Sequence, residues 1–200
     1  MMKKTCYALC VTSLLAAGAS ANLITNGGFE DSNTDGDFGD GWGTFGAAAV
    51  NFEFFPNGNP GHATLFADNT SNFGGVFQQG ILGTEGVEYT FSVDGQFESE
   101  WDARQRFGLE FYQGDDATLI SAALVEITDD SAVAGQGYMT YMMSAVAPAG
   151  TVFVRPIILF DQVLSGGGSR ASTWDNATLI PAPGALAVLG LGGFAVRRRR

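Results

Sequence analysis

The stretch 88-EYTFSVDGQF-97 decides the fold. Tyr89, Phe91 and Val93 fall on one side of an extended chain, and Thr90, Ser92 and Asp94 on the other. A period of two with one apolar side is the pattern of a strand with one buried face. The next stretch, 106-RFGLEFY-112, repeats it, with Phe107, Leu109 and Phe111 on one face and Gly108, Glu110 and Tyr112 on the other.

Working outward, further apolar runs predict strands at Ala47–Phe54, Ala63–Ala67, Val76–Ile81, Leu119–Ile127, Tyr138–Ala147, Thr151–Leu159 and Thr173–Leu179. Turn-forming stretches separate them: PNGNPG at 56–61, GTEG at 83–86, GDD at 114–116, APAG at 147–150 and SGGGS at 165–169. About nine short strands in one chain predict an all-β antiparallel β-sandwich, most simply a jelly roll, with a barrel as the runner-up. No stretch of the body has a helical period. The segment 31-DSNTDGDFGDGW-42 reads as an acidic loop.

The two ends do not belong to that pattern. Residues 1–21 carry Lys3 and Lys4, an apolar run from Cys6 to Ala17, and the small residues Ala19-Ser20-Ala21. That is the layout of a cleaved signal peptide with its short helix, so the mature chain is expected to start at Asn22. Both cysteines, Cys6 and Cys10, leave with it, and no disulfide can form afterwards. Four arginines, Arg104, Arg106, Arg155 and Arg170, then face 21 acidic residues in the body, a formal charge of −17. Such a body repels nucleic acid, which is not expected as a partner, and anionic lipid.

Residues 181–200 read PAPGALAVLGLGGFAVRRRR. The apolar run about 184–196 is short for a ~30 Å hydrocarbon core. Counting back to Leu179 lengthens it if a helix continues through the prolines. A single transmembrane helix is expected here. Arg197, Arg198, Arg199 and Arg200 would stay on the cytoplasmic side and leave the acidic body outside.

Several stretches resemble galactose-binding-like jelly rolls, a family that includes many carbohydrate-binding modules. They are NLITNGGFED at the mature start, GGVFQQGILGTEGVEYTFSVDGQF, LEFYQGDDATLI, AVAPAGTVFVRPIILF and STWDNATL. The resemblance covers most of residues 22–180 and implies the same sandwich as the strand count. It also implies a structural calcium between the N-terminal segment and the last strand, with Glu30 and Asp175 at the matching positions. The tail resembles the PEP-CTERM sorting signal of Gram-negative bacteria, with Pro181-Ala182-Pro183 where that family often has Pro-Glu-Pro. This implies export across the inner membrane, a transient membrane anchor, processing by an exosortase-type peptidase, and arrival at the cell surface or outside it. The expected domains are therefore 1–21, 22–180 and 181–200.

Chemistry-bearing residues are sparse. His62 is the single histidine and the body has no cysteine, so Ser/His/Asp catalysis and the usual zinc sites have little to build on. Glu98 and Glu100 share a face if extended and are the one candidate pair for glycoside chemistry. Asp31, Asp35, Asp37 and Asp40 offer hard oxygen donors to calcium, although the EF-hand spacing fails. Trp42, Trp101 and Tyr112 are the aromatic candidates for stacking on sugar rings, with packing at the rim of the sandwich as the other reading. The expectation is a non-enzymatic envelope or matrix protein that binds extracellular polysaccharide. The alternatives are a structural surface protein without a ligand and a carboxylate-based glycoside-acting enzyme.

Overall fold

A computed structural model describes residues 21–29, 41–46, 63–67, 73–97, 103–127, 137–163 and 170–182. Nine strands lie among them: β1 Trp42–Gly46, β2 Ala63–Ala67, β3 Gly74–Gln78, β4 Glu88–Phe97, β5 Ala103–Tyr112, β6 Leu119–Glu126, β7 Met139–Val146, β8 Phe153–Val163 and β9 Arg170–Pro181. They form a five-stranded sheet, β1-β3-β8-β5-β6, and a four-stranded sheet, β2-β9-β4-β7. Every pairing is antiparallel. The all-β sandwich expected from the sequence is the fold observed.

The alternation in β4 and β5 does what it predicts. Tyr89, Phe91, Val93 and Phe97 are buried from one sheet, and Phe107, Leu109 and Phe111 from the other. The Phe91 and Phe107 rings meet across the interior at 6.0 Å. One polar chain crosses the same space. Trp174 Nε1 donates to Ser172 Oγ at 3.0 Å, Ser172 Oγ donates to Gln105 Oε1 at 3.1 Å, and Gln105 Nε2 donates to the Leu159 carbonyl at 2.8 Å. Both sheets are thus joined through satisfied hydrogen bonds, as burial of polar groups demands.

The N-terminal segment acts as a strap along β9. The Leu23 N–H donates to the Leu179 carbonyl, and the Ala177 N–H to the Gly27 carbonyl. Asn22 Oδ1 accepts from Ile24 and Leu179. Gly27 is required there, because a Cβ would stand 2.1 Å from the Ala177 carbonyl oxygen. Phe29 then turns into the core, fully buried.

Two expectations are corrected. The chain over Trp42–Gly46 is a strand, whereas Trp42 was expected to end a loop. The strand expected at Val76–Ile81 sits earlier, over Gly74–Gln78, because Gly80 turns the chain with φ 78°. β9 runs through Pro181, and the Ala182 N–H donates to the Glu88 carbonyl at 2.7 Å. Leu179 to Pro181 are therefore part of the sheet and cannot lengthen a membrane helix. The expected strand at Ala47–Phe54, the signal segment 1–20 and residues 183–200 lie outside the described residues.

Candidate functional site

The outward face of the five-stranded sheet gathers the groups best suited to a ligand. Its construction starts with glycine. In the β1–β3 ladder Gly43 stands opposite Phe77, and Phe45 opposite Gly75. A Cβ on Gly43 would lie 2.8 Å from Phe77 Cζ, and one on Gly75 would lie 2.6 Å from Phe45 Cζ. Each aromatic ring therefore folds over the glycine across from it. Phe73, just before β3, is more than half exposed and lies 6.3 Å from Phe45, which lies 6.1 Å from Phe77. Three rings make a continuous row.

Arg155 on β8 extends that row. Its guanidinium carbon sits 4.8 Å from the Phe77 ring centre and 4.0 Å from that of Tyr112 on β5. Arg155 Nη1 donates to Tyr112 Oη at 2.9 Å, and Nη2 to the Asp116 carbonyl at 3.2 Å. Glu110 and Asp116 carboxylates lie 3.8 and 3.6 Å away. Tyr112 Oη donates in turn to Glu110 Oε2 at 2.8 Å. Burial first, and then the bond to Glu110, push the Tyr112 phenol up to about 12.

A second cluster occupies the far end of the same face. Arg104 Nε and Nη2 donate to the two Asp161 oxygens at 2.6 and 2.7 Å, and Arg106 Nη2 also donates to Asp161. Three of the four arginines of the body thus share one face. Ile157 and Leu159 lie between the two clusters and are buried, although their strand neighbours on either side point into the core.

The candidates from the sequence divide. Tyr112 is on the outward face as its position in the alternation implied, but it is only 7 % exposed and is covered by Arg155. Trp42 is 6 % exposed. It packs on Phe29 at 4.4 Å and donates Nε1–H to the Asn26 carbonyl at 2.9 Å, so it closes the rim of the sandwich and presents no open ring face. Asp175 is buried, and its Oδ1 accepts the Asn176 N–H at 2.7 Å. Glu30, Trp101, Glu98, Glu100, Asp31, Asp35, Asp37, Asp40, His62, Pro183 and Arg197–Arg200 lie outside the described residues. Among the described residues, no group of three or more His, Cys, Asp or Glu converges as a metal site. Beside the strap, a cleft of about 430 Å³ is lined by Leu23, Thr25, Gly41, Gln78 and residues 79–82. The Gln78 amide is already committed there to both backbone groups of Thr25.

Phe45, Phe73, Phe77 and Arg155 were not singled out by the sequence reading. Their signal is the complementary pattern of 43-GTF-45 and 75-GVF-77, in which each Phe meets a Gly once the two segments pair antiparallel.

Chemically, aromatic faces stack on the apolar sides of sugar rings, and the guanidinium and carboxylates beside them can bond hydroxyls. No family model and no curated protein sequence matches the chain. Solved structures do share its fold. The enzymatically active domain of bacteriophage CBA120 tailspike protein 4 aligns at TM-score 0.59 and 11% identity, over 80% of this chain and 21% of that one. This chain therefore spans about a fifth of that structure's length. A family 16 carbohydrate-binding module aligns at TM-score 0.52 and 16% identity, over 80% of this chain and 99% of that one. A xylan-binding domain from Paenibacillus barcinonensis aligns at TM-score 0.50 and 14% identity, over 82% and 96%. At these identities the likeness is one of fold alone, an antiparallel β-sandwich.

Proposed function

We propose that the chain is an exported, non-enzymatic surface protein whose sandwich binds extracellular polysaccharide on the outward face of the five-stranded sheet. The observation that carries this reading is the row Phe73, Phe45 and Phe77 ending on the Arg155 guanidinium. Such a row offers successive sugar units a stacking surface and a polar end. The carbohydrate-binding modules among its structural neighbours support the same reading. Glu110 and Asp161, the carboxylates central to this face, are each engaged by arginine, which suits binding better than acid–base chemistry. The proposal keeps the signal peptide, the sorting motif at Pro181-Ala182-Pro183, the membrane segment over 184–196 and the arginines 197–200.

The test is a glycan array probed with the purified protein, in calcium and in chelator, beside Phe45→Ala and Phe77→Ala variants. Binding to one glycan class, lost at least tenfold in both variants, is expected; one kind of aromatic–sugar contact worth ~1.4 kcal/mol gives that factor. A second reading, a structural surface protein with no ligand, is favoured by one fact: both rings also fill the space over a glycine, which packing alone would explain. Silence across the array from folded protein selects it.

The calcium proposal rests on Asp175. A buried carboxylate is a hard oxygen donor of the type calcium takes, and Glu30 would be its partner. Thermal unfolding should shift upward with calcium, and Asp175→Asn should abolish the shift. No shift in the parent protein removes the metal from the proposal.

A further inference from the structure

One end of the sandwich carries residue 41, the turns over 79–87, 113–118 and 147–152, and the exit of the chain at Ala182. Large aliphatic side chains are exposed there. Leu82 is 71 % exposed, Val146 58 % and Leu119 48 %, and Val152 and Ile180 are exposed beside them. Three of them, Leu82, Val152 and Leu119, lie on linked backbone segments at one end of the five-stranded sheet. Leu82 bridges to Phe153, the Gly83 N–H donates to the Val152 carbonyl, the Val152 N–H donates to the Tyr112 carbonyl, and Tyr112 pairs with Leu119. On the other sheet, Val146 stands opposite Glu88 and Ile180 opposite Thr90, at neighbouring rungs of β4.

The acidic groups of this end are largely tied into its turns. Glu85 Oε2 accepts the Gly150 N–H, Asp115 accepts from Ala117 and Thr118, and Asp116 holds the Gly80 N–H and pairs with Arg155. Glu88 is exposed.

The chain leaves this end with almost no spacer. Ala182 is still bonded to β4, and the uncharged run over 183–196 follows at once. Its 14 residues cover about 21 Å as a helix at ~1.5 Å each, against a hydrocarbon core of ~30 Å. An extended residue reaches at most ~3.6 Å, so Gly184 stays within about 7 Å of Ala182. The headgroup layer on one side of a bilayer is only ~5–7 Å deep. A short span is accommodated by thinning the bilayer, by snorkelling of flanking residues such as the terminal arginines, or by oligomerising, and a span tethered this closely draws the folded end, with its exposed apolar side chains, into the headgroups.

We infer that this end of the sandwich is a bilayer-docking surface, with Leu82, Leu119, Val146, Val152 and Ile180 seated at the boundary between headgroups and acyl chains while residues 183–196 are in the membrane. The inference rests on the membrane reading of the tail and is independent of glycan binding.

The test uses the mature chain, residues 22–200, which has no cysteine of its own, in vesicles of phosphatidylcholine. An environment-sensitive dye is placed in turn at Leu82→Cys, Val152→Cys, Phe73→Cys and Val125→Cys, the last two being on the opposite end of the strands. Retention of the protein through carbonate washing reports the tail separately. The expected result is a retained protein whose dyes at 82 and 152 are quenched several-fold more by brominated lipid than those at 73 and 125. A retained protein with equal quenching at all four positions overturns the docking surface and spares the tail. A protein washed off the vesicles overturns both. Leu82→Glu with Val152→Glu should remain retained but lose the quenching of a dye at Leu119→Cys, and unchanged quenching there also counts against the surface.

Discussion

Gln105 carries a polar load inside an apolar core. Its side chain accepts from Ser172 and donates to the Leu159 carbonyl, so replacing it removes one buried hydrogen bond to each sheet. Gln105→Leu keeps the volume and removes the bonds. It should cost about 1–3 kcal/mol, the usual penalty for stranded buried polar groups, read from urea unfolding. A change of a few tenths would mean that the Trp174–Ser172–Gln105 chain contributes nothing. Tyr112 supplies a second prediction at this scale. Its phenol is raised to about 12 in the fold, above the ~10 of an unfolded chain. The folded state therefore holds the proton more tightly, and stability is full below pH ~10 and is lost as pH rises towards 12. Unfolding midpoints measured across that window should fall less in Tyr112→Phe than in the parent. The ultraviolet tyrosinate signal should lose its late-titrating phase in the same variant.

Among the elements, the strap of residues 22–29 and the edge strand β7 carry the clearest consequences. Gly27→Ala would put a methyl group on the Ala177 carbonyl and force the strap away from β9. Overpacking of this kind costs about 1–3 kcal/mol, which a denaturant melt would resolve. β7, MTYMMSAV, is an outer strand with no charge and no proline, and its Met142 is 66 % exposed. Edges are normally blunted by such residues, so Met142→Lys should lower self-association in concentrated solution with little change in stability. Light scattering on the two proteins decides it. The legible elements were those with a side-chain period. β4 and β5 announced themselves through Tyr89, Phe91 and Phe107, because each strand lies between a wet face and a dry one. β1 did not, since WGTFG has two glycines and no apolar alternation, and its partner strand β3 begins 32 residues after it does. The candidate site was half hidden for the same reason. Tyr112 could be placed on an outward face from its own strand, but its cover, Arg155, comes from β8, 43 positions on. Trp42 looked available because Phe29 and Asn26, which close over it, reach it only through the turn of the strap.

For the whole molecule, the sheets and the strap make one protected body. Limited proteolysis of the full chain should yield a resistant fragment whose C-terminal side is not cut between 172 and 182, because that stretch is paired to β4 and ends in the bond from Ala182 to Glu88. Cuts within it under native conditions would place the end of the folded body earlier. The same stretch has a mechanical meaning. β9 is an interior strand, flanked by β4 on one side and by β2 and the strap on the other. A pull on the tail runs along that strand, so many hydrogen bonds bear the load together rather than opening one at a time. Forced unfolding is governed by the height of the unfolding barrier. Tension through residue 182 should therefore meet a much stiffer handle than tension applied across the outer strand β7. If the tail holds the protein to a surface, the sandwich can bear drag without first losing its last strand.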